Sequence, residues 1–257
     1  GCPRLRWIPP MDVLLVSRRA LPASPSEPHW SRVAAHRAAV GLAEHEGVQR
    51  VRWICPLTTA EQPPEGLPPE VELLQVPGGH GSFGDPQDRL CDAAADRELT
   101  MQMRSRLPDV VHCFGMGSPG SSALPWVAER MGRAALVSVR AEEVLCHRLD
   151  LQPWNGVGPC GTWDDPDRCV RCCGEAVGQP DVPALAAGGT DPSQDRRALT
   201  ALGFQNRLEL SVGGLVSAEQ ILVASGPDQE RLIASGLSTA KVAVVDDLLA
   251  FESSRYL

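Results

Sequence analysis

Short apolar runs alternate with helix-length segments along almost the whole chain, and that alternation leaves few folds open. Residues 11–16 (MDVLLV), 51–55, 110–114, 135–139, 221–224 and 241–245 are strand-length and mostly apolar. Runs of this kind suit strands covered on both faces. Residues 71–76 instead alternate apolar and polar, as an outer strand would. Between the runs, residues 30–46, 88–106, 121–131, 196–210 and 227–235 read as helices. Gly47 ends the first, Pro108 ends the second, and Ser225 with Pro227 opens the last. Strands joined through helices must run parallel, so the pattern predicts an α/β protein with a mostly parallel sheet and helices on both faces.

Composition narrows the function. The 257 residues are 43% hydrophobic, enough for a sizeable core. The formal charge of -8 repels phosphate backbones, so nucleic acid is not expected as a partner. No apolar run reaches the ~18 residues of a membrane span, and residues 1–10 lack the apolar stretch of a signal peptide. A cytoplasmic location is therefore expected. Residues 1–10 read as an N-terminal extension or tag, residues 11–245 as the folded domain, and residues 246–257 as a C-terminal tail. Residues 174–194, rich in Gly, Pro, Ala and Asp without a period, read as a flexible insert.

The chain carries nine cysteines. Cys55 and Cys113 fall in apolar strand runs and read as buried thiols; Cys2 and Cys91 are isolated. Cys146, Cys160, Cys169 and Cys172 are spaced C-x13-C-x8-C-x2-C in a Cys-rich loop, residues 146–173. In a reducing compartment clustered cysteines bind metal more often than they pair. One Zn2+ satisfies four thiolates at ~2.3 Å and would order a segment with little core of its own. The expectation is a closed, structural zinc site, with an iron–sulfur cluster as the alternative metal and free thiols as the alternative to any metal. Cys173 reads as a bystander or a replacement for Cys172, and His147 as an alternative ligand.

Just before the cysteines, residues 115–120 spell G-x-G-x-x-G after a strand, with Glu142 and Glu143 just over 20 residues on. A dinucleotide site would use such a loop, although Pro119 is awkward in it. The alternative is a tight turn that lets a helix approach the sheet. His112, at a strand end, is either a hydrogen-bonded structural residue or part of a site. Arg140, Glu142 and Glu143 fall at the carboxyl edge of the sheet, where α/β proteins bind ligands, or are simply solvated or ion-paired. No Ser/His/Asp set, Walker loop or HExxH motif is present.

Several of these segments, in order, resemble the N-terminal half of a GT-B glycosyltransferase of the family 4 type. They are MDVLLVSRRALP, DVVHCFGMGSPGSSALPWVAERMGRAALVSV and ILVASGPDQERLIASGLSTAKVAVV, together spanning residues 11–245. A cysteine-containing subset of that family resembles LVSVRAEEVLCHR through RCVRCC. The resemblance implies a Rossmann-like, acceptor-side domain of a retaining, nucleotide-sugar-dependent glycosyltransferase, with a sugar acceptor or nucleotide sugar as ligand. It implies that His112, Gly115, Gly117 and Arg140 face the interdomain cleft, and that residues 77–83 (PGGHGSF) form an acceptor lid or a plain loop. The Gly-Gly of the family's first acceptor-side loop is replaced by prolines and serines in residues 21–29. The family's His-Asp pair falls on Arg140-Ala141, and the donor-binding domain with its E-x7-E motif has no counterpart. Those departures imply a domain inactive without a donor-binding partner, or a silent, zinc-stabilised binding or scaffold subunit.

Overall fold

The computed structural model describes residues 10–17, 30–55, 66–75, 90, 93–116, 122–148, 151, 160–176 and 199–245. Among the described residues seven strands form one sheet: β1 (Met11–Ser17), β2 (Val48–Cys55), β3 (Val71–Gln75), β4 (Val110–Phe114), β5 (Ala134–Ser138), β6 (Gln220–Val223) and β7 (Val242–Val244). Their order is β3-β2-β1-β4-β5-β6-β7, and every neighbouring pair is parallel. The class expected from the apolar runs is the class observed, a Rossmann-like parallel sheet with β3 at an edge.

The helices are α1 (Trp30–Ala43), α2 (Ala93–Ser105), α3 (Leu124–Arg130), α4 (Ala141–Leu145), α5 (Pro166–Ala176), α6 (Ala201–Val216) and α7 (Gly226–Ala234). Side-chain alternation along the strands separates two cores. Val13, Leu15, Val51 and Trp53 pack with Ala35 and Ala39 of α1 on one face. Leu14, Val16, Ile54, Val111 and Val137 pack on the other, with Leu99, Ala128, Val144, Leu215 and Leu232 from α2, α3, α4, α6 and α7. The connection from β1 runs one way, to β2, and the chain returns through α2 to β4 on the other side of β1. The carboxyl ends of β1 and β4 thus flank a topological switch point, the place where open parallel sheets leave room for a ligand.

Three helices differ from expectation for local reasons. Residues 141–145 were expected as loop, yet Arg140 is extended and its N–H donates to the Glu143 carboxylate at 3.4 Å, one half of a capping box. The cysteine segment was expected as loop throughout. Its second half is α5, with Pro166 at its first turn and the Asp165 carboxylate accepting from Arg168 N–H at 3.0 Å. α6 begins and ends later than the expected 196–210. Thr200 caps it through Gly203 N–H, and the two glycines near its end do not stop it. Gly214 lies against Ser122, where a Cβ would stand 1.9 Å from the backbone carbonyl oxygen, so only glycine lets α6 approach this closely.

Gly117, the loop 77–83, Cys2, Cys91, the tail 246–257 and residues 177–194 of the expected insert lie outside the described residues. No helix among the described residues is long and apolar enough to cross a membrane.

Candidate functional site

The carboxyl ends of β4 and β5 converge on Ser138. Gly115, at φ +84° just past β4, donates its N–H to the Ser138 carbonyl at 2.8 Å. That left-handed conformation favours glycine and turns the chain at the crevice. His112 Nε2 hydrogen-bonds Ser138 Oγ at 2.8 Å, and its ring stacks on Phe114 at 4.0 Å. The residue keeps a partly exposed surface, yet enclosure of the ring disfavours the imidazolium and lowers the pKa from 6.5 to about 4. His112 is therefore neutral near pH 7. Two residues beyond Ser138, Arg140 opens α4 and pairs through Nε with Glu142 Oε1 at 2.5 Å.

Glu143, on the same short helix, is buried. Its Oε1 accepts from Trp30 Nε1 at 3.1 Å, and Trp30 is the first residue of α1. This bond ties the β1 side of the switch point to the β5 side. The sequence brought Glu143 forward as a carboxylate in a ligand-facing loop; its side chain is a buried brace. His112 and Gly115 both bond Ser138, His112 from the middle of β4 and not from its end, whereas Arg140 follows Ser138 by two residues and pairs with Glu142. Ser138 and Trp30 carried no sequence signal, since a serine in an apolar strand and a tryptophan at a helix start are unremarkable by pattern alone.

α4 runs from this crevice straight to the cysteines. Cys146 ends it. Arg207, 2% exposed on α6, donates from Nη1 to the Val144 carbonyl at 2.9 Å. Its Nη2 donates to those of Glu143 at 2.8 Å and Cys146 at 3.0 Å. Carbonyls at a helix C-terminus lack intrahelical donors, and a buried guanidinium there satisfies them and complements the helix dipole. Ser211 Oγ adds a bond to Val144 O at 3.0 Å.

Cys146, Cys160, Cys169, Cys172 and Cys173 all line one small cavity with Leu145, His147, Arg148 and Trp163. Cys160 is held by its N–H on the carbonyl of Leu151, a buried residue at φ +50°, and by a 3.8 Å contact from Sγ to Thr162 Oγ1. Cys169, Cys172 and Cys173 occupy i, i+3 and i+4 of α5 and so share one face. Arg148 Nη1 donates to Cys172 Sγ at 3.5 Å. Cys173 is the most enclosed of the five, beside Leu199 and Phe204, and His147 stands edge-on to Phe204 at 5.5 Å.

The thiols act on one another. Burial pushes Cys169 up to about 12, and the neighbouring Cys146, Cys160 and Cys172 push it the same way, while Arg207 opposes them. Cys173 is raised by its hydrogen bond with Cys172 and by burial. Cys113, by contrast, sits alone in the core and is raised to about 12 by burial, the inert thiol that its strand position suggests. None of the six cysteines with described side chains is in a disulfide. Among the described residues, no three His, Cys, Asp or Glu side chains stand in an arrangement that could hold a metal ion. Only the chemistry of the donors suits zinc: the four expected thiols line one cavity, and Cys146, Cys160 and Cys172 each act on Cys169. The closed coordination sphere expected from their spacing is not formed. No family model matches this sequence, and no curated protein matches it significantly.

Proposed function

We propose that this chain is the acceptor-side domain of a retaining, nucleotide-sugar-dependent glycosyltransferase of the GT-B type, a hexosyltransferase once joined by a donor-binding domain. The observation that carries the proposal is that His112 and Gly115 both hydrogen-bond Ser138, two residues before Arg140, beside the switch point of an open parallel sheet. With Nε2 engaged by Ser138 Oγ, a neutral imidazole would meet a sugar hydroxyl through Nδ1, as donor or acceptor according to the tautomer. Gly115 lets the backbone approach a ligand, and Arg140 offers planar donors when Glu142 releases it.

A second reading has its own observation. Where the resembling family carries a His-Asp pair, this chain has an arginine paired to Glu142 and a fully buried alanine, Ala141. That favours a silent, zinc-stabilised binding or scaffold subunit. In both readings Cys146, Cys160, Cys169 and Cys172 hold one structural Zn2+. Support comes from their shared cavity and from the mutual penalty that a cation among them would relieve. The ion would draw the sulfurs together and cross-link α4 to α5. With all four positions filled by protein it offers no open site for substrate. A cytoplasmic location suits thiols kept in this state.

A saccharide array probed with the purified chain tests the site. The glycosyltransferase reading expects binding to a defined class of hydroxyl-rich acceptor, weakened at least tenfold by Arg140→Ala. Absence of any saccharide binding, or stabilisation by NAD in thermal melting, would overturn it. A chain that captures no sugar yet binds zinc fits the scaffold reading.

A further inference from the structure

We propose that Arg148 and Arg207 are the countercharges of the thiol cavity, two guanidinium groups that balance the net negative charge of a zinc ion held by the thiolates of Cys146, Cys160, Cys169 and Cys172. The inference rests on the zinc reading and goes beyond it, because it names the residues outside the ligand set that decide affinity. A zinc ion bound by four thiolates keeps two net negative charges. In a cavity walled by Leu145, Leu151, Trp163 and Phe204, those charges are costly unless cations answer them. No Asp or Glu lines that cavity among the described residues.

Two of the cations near the sulfurs are fixed by geometry. Arg148 Nη1 points at Cys172 Sγ, 3.5 Å away. Arg207 is locked behind Cys146 by its three carbonyl contacts, one of them to Cys146 itself. It also lines the adjoining cleft together with Cys169, so its charge lies near two of the ligands. A third arginine, Arg168, lines the cavity from an exposed position on α5, where water screens it. Arg168 is therefore the internal control. Donors to coordinated sulfur act outside the ligand shell, and losing such a partner typically costs about 10–100-fold in metal affinity.

The experiment is a zinc competition on the full chain against a chromophoric chelator, with far-UV circular dichroism to monitor the fold. Arg148→Gln is expected to weaken zinc binding about 10–100-fold. Arg148→Lys, which keeps the charge, is expected to recover most of that loss, and Arg168→Gln to stay within about threefold of wild type. Arg207→Lys is expected to lower the melting temperature, because the three-carbonyl grip is lost, while zinc affinity falls less than in Arg148→Gln. Arg148→Leu replaces Arg148→Gln if the latter does not fold. Equal zinc affinity in wild type and the uncharged Arg148 variant overturns the proposal while leaving the zinc site standing. A wild-type chain that binds no zinc removes the zinc reading and this inference together.

Discussion

Gly213 and Gly214 are neighbours on α6, and alanine at these two positions should act in opposite directions. Helix propensity alone treats them alike: alanine in place of a helical glycine gains about 1 kcal/mol. At Gly213 nothing lies within 4 Å of the added Cβ, so that gain is realised. At Gly214 the Cβ would lie 1.9 Å from the Ser122 carbonyl oxygen and 2.8 Å from its carbon. Both are backbone atoms, so no side chain can swing aside. α6 must move by roughly 1 Å relative to the turn before α3, and overpacking of this kind costs about 1–3 kcal/mol or more, beyond the propensity gain. The displacement also loosens Arg207 and Ser211, which hold the end of α4. Urea denaturation of the two single variants, with m values compared, reads the difference directly. Gly213→Ala should raise the midpoint and Gly214→Ala should lower it, with a gap of about 2–4 kcal/mol. Equal stabilisation by both would refute the placement of α6 on Ser122.

Other outcomes follow from the same geometry. The pKa of His112 is about 4 in the folded protein against 6.5 ordinarily, so the unfolded chain binds the extra proton first. Its contribution is fully present above pH 6.5 and is lost as pH falls toward 4, by up to about 3 kcal/mol. His112→Gln should flatten the fall in unfolding free energy across that window, and an unchanged slope would remove the enclosed neutral imidazole. Trp30→Phe deletes the donor to buried Glu143 and should cost about 1–3 kcal/mol in thermal or urea unfolding. Cys113 should resist an aqueous thiol reagent until the chain unfolds, and rapid labelling of it in native buffer would contradict its burial.

The sheet was legible because its strands are apolar on both faces: MDVLLV in β1 and VVHCF in β4 have no other comfortable place. β3 declared itself an edge by alternation, and it is one. The thiol segment was legible as a cluster, and spacing alone brought Cys146, Cys160, Cys169 and Cys172 to one cavity. What the sequence hid was the helix carrying three of the five cavity thiols. Asp165-Pro166 is a start signal, but the cysteine spacing drew attention toward a loop. α4 was hidden for a different reason. Five residues cannot show a helical period, and its stability comes from Arg207 and Ser211, more than sixty residues away. Ser138 and Trp30 became visible only once strands and helices were placed, because their partners His112 and Glu143 are distant in sequence.

The zinc proposed for the thiol cavity requires four sulfurs to share one ion. X-ray absorption at the zinc edge, on chain purified under reducing conditions and supplied with one equivalent of zinc, asks that question most directly. The expected result is four sulfur neighbours at about 2.3 Å, with a sulfur lost in Cys160→Ser and in Cys169→Ser. A first shell of oxygen and nitrogen, or a spectrum that neither substitution alters, would contradict the account.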